Sequence, residues 1–259
     1  MSKLYINNDI VEYIKFGKGK KNLIMIQGLN TRSIKGSKLM LSLMYRIFKK
    51  DYTVYLFDRK TNINEDITVK DFANDIACYM DALNIKKADV FGVSEGGMIA
   101  QNLAILRPDL VNKLVLAVTL SKNNETVINT INNWINLTKE NKMKDLIIDM
   151  AYKMYSSEYV KRYKLFFPLL TYLQKPKDIN RFINLCKSCL TCDTYNKLDQ
   201  IKCPVFVIGG KKDLIVTIDA SLEIIDKLNC EYYIYDDLGH ALYEEAKDFN
   251  KRVYEFLSK

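Results

Sequence analysis

The sequence predicts an α/β fold, a mostly parallel eight-stranded sheet flanked by helices and interrupted by an all-helical insertion. Three observations carry this. Short apolar runs bounded by turn residues alternate with amphipathic stretches, the pattern of strands covered on both faces by crossover helices. The alternation stops between about Ser121 and Leu198, where no strand-like run occurs. With 259 residues, 48% of them apolar and 27% charged, the chain can bury a large core, and its composition argues against disorder.

Taken in order, segments 4–6 and 10–16 read as a hairpin at the sheet edge, and 23–27, 53–57, 88–93, 114–118, 205–209 and 231–235 as buried strands. Helices are expected at 37–48, 69–83, 95–106, 218–228 and 244–257. Thr68-Val69-Lys70-Asp71 supplies a capping box for the second. Within the insertion, Leu146, Ile147, Met150 and Met154 share one side of a helix over 145–155, and Pro168 and Pro176 break the remainder into segments. The expected organisation is a core of 1–120 and 199–259 with a helical cap, 121–198, inserted in it.

The net charge of +8 comes mainly from lysines scattered in pairs such as Lys20-Lys21, Lys86-Lys87 and Lys211-Lys212. No basic run of five occurs, so the charge reads as solvated surface, with no nucleic acid or membrane among the expected partners. The first residues lack the apolar core of a signal peptide, and no stretch reaches eighteen apolar residues, so a soluble cytoplasmic protein is expected. Cys186, Cys189 and Cys192 have the spacing of an iron–sulfur ligand run, but the next cysteine, Cys203, is too far away for that pattern. They read instead as one buried helix face.

The chain has a single histidine, His240, in Leu238-Gly239-His240-Ala241, so any imidazole chemistry runs through it. Its natural partner is Ser94 in Phe91-Gly92-Val93-Ser94-Glu95-Gly96-Gly97, which follows a strand and opens a helix. That setting turns a G-x-S-x-G match into a nucleophile elbow, with a strained serine and glycines where chains pass closely. The alternative reading of Ser94 is a helix N-cap. A serine hydroxyl needs a base, and the base needs a carboxylate to fix its tautomer. Asp213, at the end of a strand and loop from Val205, is the preferred acid; Asp219, Asp236 and Asp237 are rivals.

With Ser94, Asp213 and His240 in that order, the chain resembles the α/β-hydrolase superfamily nearly end to end. The elbow from Gly92 to Gln101 resembles the lactonase and esterase branch that includes 3-oxoadipate enol-lactone hydrolases. The resemblance implies an α/β-hydrolase fold and an oxyanion hole built from the Leu29 and Glu95 backbone N–H groups. Gln27 stands where the family usually has histidine, Thr217 where many relatives carry proline, and Asp58-Arg59-Lys60 lacks a customary glycine. The Glu95 carboxylate would oppose an oxyanion if it faced the site, so it is expected to be turned aside or held by a cation.

The expected activity is hydrolysis of an ester, lactone or thioester of a small to medium, largely apolar small molecule, with no cofactor or metal. Trp134, Met143, Met150, Met154, Tyr155, Phe166 and Phe167 are candidates for an apolar roof. The alternatives are a carbon–carbon bond hydrolase, a perhydrolase, an aminopeptidase using Glu140, Asp145, Asp149 or Glu158 to hold an amine, and a non-catalytic receptor on the same fold.

Overall fold

The computed structural model describes residues 2–6 and 9–259. Eight strands form one sheet: β1 (Ser2–Ile6), β2 (Asp9–Phe16), β3 (Lys21–Ile26), β4 (Tyr52–Phe57), β5 (Ala88–Val93), β6 (Val111–Ala117), β7 (Val205–Gly210) and β8 (Glu231–Tyr235). Their order is β1-β2-β4-β3-β5-β6-β7-β8. β2 runs antiparallel to β1 and β4, and the remaining pairs are parallel. The continuous apolar runs are explained by burial on both faces. In β3, Ile24 and Ile26 face one core cluster while Leu23 and Met25 face the other.

The first cluster is covered by α2 (Val69–Ala82), α3 (Glu95–Leu106) and α9 (Ile218–Leu228), the second chiefly by α11 (Phe249–Ser258). The α2 capping box forms: Asp71 N donates to Thr68 Oγ1 at 3.1 Å and Thr68 N to Asp71 Oδ2 at 3.0 Å. Between β6 and β7 the chain makes five α-helices, α4 (Glu125–Lys139), α5 (Met143–Met154), α6 (Ser157–Tyr163), α7 (Phe167–Gln174) and α8 (Ile179–Cys189). Pro168 lies in the first turn of α7, where its missing N–H has no intrahelical partner to lose, and Pro176 separates α7 from α8.

Several boundaries differ from expectation. The helix expected over 37–48 is α1 (Lys38–Met44) followed by a 3-10 turn, Arg46–Lys49; α1 buries none of its residues, and Tyr45 and Phe48 after it reach the core. The helix expected over 244–257 is two, α10 (Leu242–Glu245) and α11, because Ala246 leaves the helical region at ψ 117°. Leu242 ahead of the break and Phe249, Val253, Phe256 and Leu257 after it are all buried in the second core cluster. β6 begins at Val111, which pairs with Ala88, and stops before Val118, whose φ of +45° takes it out of the strand. Cys186 and Cys189 lie on α8, but Cys192 lies past its end; all three are buried in the first core cluster. Among the described residues, no helix is long and apolar enough to cross a membrane.

Candidate active site

β5 ends at Val93 and α3 begins at Glu95, so the chain reverses within one residue. Ser94 takes φ +53°, ψ −122°, a conformation L-residues avoid and one the surrounding packing must enforce. The crossing leaves no room for side chains. A Cβ on Gly92 would stand 2.3 Å from the Gly96 carbonyl oxygen, and one on Gly96 would stand 2.0 Å from that of Ile26. Although Ser94 occupies the N-cap position of α3, its hydroxyl makes no capping hydrogen bond.

That hydroxyl is 2.9 Å from His240 Nε2, and His240 Nδ1 is 2.8 Å from Asp213 Oδ2. With the ring proton on Nδ1 donated to the carboxylate, Nε2 is free to accept from Ser94 Oγ. Asp213 is fixed from its other oxygen, Oδ1, which accepts the Ile215 and Val216 N–H groups at 2.8 and 3.0 Å. The rivals lie elsewhere: Asp236 and Asp237 pair with Lys211 and Lys212 at the surface, and Asp219 sits in the first turn of α9. The histidine loop is itself anchored to the end of α5 and the turn after it. Ala241 N donates to the Met154 carbonyl at 2.7 Å, Ser156 N to Glu245 Oε1 at 2.9 Å, and the Tyr155 hydroxyl to Glu244 at 2.7 Å. Burial raises the pKa of Glu244, and the Tyr155 bond works against that rise.

Gly28 approaches so closely that a Cβ there would stand 3.1 Å from Ser94 Cβ, which brings the following residue, Leu29, beside the elbow. Among the described residues, neither the Leu29 nor the Glu95 N–H donates to a backbone acceptor in the loops and turns. The Glu95 carboxylate is buried and bound by Arg59, whose Nη2 is 2.8 Å from Glu95 Oε2 and 2.8 Å from the Gln27 carbonyl oxygen. Ser188 on α8 donates to Glu95 Oε1 at 2.9 Å, and the guanidinium lies over the Phe72 ring. The cation required by the elbow carboxylate therefore comes from the Asp58-Arg59-Lys60 segment, so the two departures from the family pattern complement each other. Thr217 sits at φ +69°, which a proline ring, fixed near −65°, could not adopt.

Above Ser94 lies a narrow cleft of about 40 Å³, room for a few waters. Of the expected roof residues, Trp134, Met150 and Met154 line it. Tyr155 stacks on Tyr159, Phe167 packs with Ala151 and Val160, Phe166 is exposed, and Met143 packs against the core. Met98, Val127, Ile131, Ile215 and Val216 complete the apolar lining and carried no sequence signal beyond hydrophobicity. Cys189 also contributes; burial pushes its thiol pKa well up, so it remains a neutral wall residue. Among the described residues, no carboxylate lines the cleft. Asp149 is engaged by the Trp134 indole N–H at 2.7 Å and by Lys153, while Glu140 and Glu158 pair with Lys142 and Arg162.

Residues 21–247 match the family described as alpha/beta hydrolase fold. A 3-oxoadipate enol-lactonase of Acinetobacter baylyi is 24% identical over 201 residues, 74% of this chain and 73% of that one. A 2-hydroxy-6-oxononadienedioate/2-hydroxy-6-oxononatrienedioate hydrolase of a Pseudomonas species is 25% identical over 193 residues, 70% of this chain and 66% of that one. The crystal structure of the enol-lactonase from Burkholderia xenovorans LB400 superposes over the full length of both chains with a TM-score of 0.85 at 19% identity, a likeness of fold.

Proposed function

The chain belongs to the α/β hydrolase fold family, and from that premise we propose that it is a serine hydrolase cleaving an ester, lactone or thioester whose reacting end is apolar. The observation that carries the reading is the hydrogen-bonded series Ser94–His240–Asp213 at a strained strand-to-helix turn beneath an apolar cleft.

Ser94 Oγ attacks the carbonyl carbon as His240 Nε2 takes its proton, and the Asp213 carboxylate stabilises the imidazolium through Nδ1–H. The tetrahedral oxyanion is received by the Leu29 and Glu95 N–H groups, the latter at the positive end of α3. Collapse breaks the bond to the leaving oxygen or sulfur, which takes the proton from Nε2. Water then attacks the acyl-enzyme with His240 again as base, and Ser94 recovers its proton as the acid departs. Arg59 cancels the Glu95 charge beside the oxyanion site.

In this reading residues 121–198 form a cap over a core of 1–120 and 199–259, supported by Trp134, Met150, Met154 and Cys189 in the cleft wall. The described residues that line the cleft include no carboxylate, which weighs against an aminopeptidase, since that must hold a substrate ammonium. The complete Ser-His-Asp series weighs against a non-catalytic receptor. The six cysteines are all free thiols, which supports a reducing, cytoplasmic setting.

Labelling with a fluorophosphonate probe tests the mechanism. The native chain is expected to react at Ser94, with the reaction abolished in Ser94→Ala and strongly slowed in His240→Ala. Absence of a Ser94 adduct across the pH range would overturn the reading. A panel of p-nitrophenyl esters, lactones, thioesters and vinylogous diketones then separates ester chemistry from carbon–carbon bond cleavage.

A further inference from the structure

β5 and β6 pair side by side, and the chain leaves each of them through a residue held at positive φ. Ser94 follows β5 at φ +53°, and Val118 follows β6 at φ +45°. The elbow accounts for the first. A positive φ at a β-branched residue is rarer, and nothing in the Ser94–His240–Asp213 series requires it. The two turns are bonded to one another. Ser94 N donates to the Ala117 carbonyl at 2.9 Å, and Thr119 Oγ1, one residue past Val118, donates to the Ser94 carbonyl at 2.8 Å. Thr119 is buried, and a Cβ on Gly97 would stand 2.6 Å from both its Cβ and its Oγ1, so its side chain packs against the first turn of α3. A strained turn persists only where the surrounding structure holds it, and this one delivers a hydroxyl to the elbow.

The carbonyl that accepts this hydroxyl belongs to the Ser94–Glu95 peptide, whose other end is the Glu95 N–H. In a planar trans peptide the C=O and N–H point to opposite sides, so fixing the oxygen fixes the direction of the N–H. Thr119 is not among the described residues that line the cleft, whereas Ser94 is. The oxygen is turned into the protein and the N–H away from Thr119. A hydrogen bond to the carbonyl also draws electrons from the nitrogen and strengthens the N–H as a donor. The same carbonyl accepts Gly97 N at 2.8 Å and Met98 N at 3.2 Å, the bonds with which α3 begins. Thr119 is the donor from outside the helix and, among the described residues, the only side chain bonded to that oxygen.

We propose that Thr119 is a positioning residue for the oxyanion hole: its hydroxyl orients and polarises the Ser94–Glu95 peptide, so that the Glu95 N–H is aimed and strengthened before a substrate arrives. The inference rests on the hydrolase reading, in which that N–H receives the oxyanion. The Thr119 hydroxyl makes its bond to backbone and none to a triad side chain, so it acts on the hole and leaves the base alone. A neutral substrate carbonyl gains little from a stronger donor, and the oxyanion gains much. Removing the hydroxyl therefore lowers kcat and kcat/KM together and leaves KM in place.

Two substitutions test this, since Thr119→Val keeps the shape and removes the donor, while Thr119→Ser keeps the donor and removes a methyl. With p-nitrophenyl butyrate, Thr119→Val is expected to lose about tenfold in kcat at unchanged KM and with an unchanged pH profile. A trifluoromethyl ketone, whose serine adduct places an oxyanion in the hole, is expected to lose affinity by the same factor. Thr119→Ser should regain most of both. Thr53→Val, which removes a hydroxyl-to-carbonyl bond of 2.9 Å to Gly19 near the start of β4, leaves kcat and inhibitor affinity as in the native chain. A native kcat in Thr119→Val, or a loss that falls on KM or shifts the pH profile, overturns the proposal. Should valine prevent folding, Thr119→Cys, with its weak thiol donor, is measured instead and read in the same way. If the native chain turns over no ester, it is the hydrolase reading that fails. The Glu95 amide proton resonance then judges the bracing alone: an upfield move in Thr119→Val that Thr119→Ser reverses supports it, and an unmoved signal overturns it.

Discussion

Two carboxylates are buried beside the elbow, and their partners differ in kind. Asp213 accepts two backbone N–H groups and one imidazole N–H, so its charge is held by neutral donors and, in the proposed mechanism, is available to an imidazolium. Glu95 accepts a permanently charged guanidinium and a serine hydroxyl, so its charge is already spent. A carboxylate kept for chemistry is positioned by groups that do not neutralise it. One that would interfere with chemistry is neutralised in place.

The largest effect separating the two is on turnover. Asp213→Asn is expected to lower kcat about ten-thousand-fold, as the wrong imidazole tautomer does in related triads, with only a small change in melting temperature. Near-native esterase activity in this variant would transfer the orienting role to another residue. On stability the order reverses. Glu95→Ala leaves the Arg59 guanidinium buried without its partner and is expected to cost about 3–5 kcal/mol in urea unfolding. Replacing both members, Arg59→Met with Glu95→Leu, should recover most of that loss, because an apolar pair has no charge to desolvate. Strict additivity of the single variants Arg59→Met and Glu95→Leu in their double would show that the two charges do not compensate each other. The smallest effect concerns the second oxygen: Ser188→Ala removes a hydrogen bond to a charged group and should cost about 1.5–3 kcal/mol, while acyl transfer keeps its rate constant. A loss of kcat as large as that of Asp213→Asn would mean that Glu95 acts in the chemistry.

The same contrast separates what the sequence made legible from what it did not. Ser94 and His240 could be read because one lies in a sterically dictated five-residue turn and the other is the only imidazole. Asp213 followed from the strand ahead of it. Arg59 could not be assigned, since its partner is 36 residues away and meets it only once β4 and β5 flank β3 in the sheet. The signal was nevertheless present, as an acid at the elbow and a departure after β4, and joining the two would have found the pair. Strands buried on both faces were legible because their pattern is a simple run of apolar residues. The cleft lining was not, because Val127, Ile131 and Trp134 on α4 belong at once to the core cluster and to the cleft wall, and periodicity cannot tell those two surfaces apart. The break at Ala246 was hidden for a related reason: alanine favours helix, and tertiary packing overrides it.

The anchoring of the histidine loop has a practical consequence. Ala241 is bonded to Met154, and Tyr155 and Ser156 to the acids that follow His240, so the ring cannot remain in register with Ser94 if the end of α5 swings away. Because the chain has one histidine, an imidazole ¹⁵N spectrum of the uniformly labelled protein contains the signals of a single side chain. Those signals report the protonation of His240 and, through the same hydrogen-bonded linkage, the movement of the helices above it.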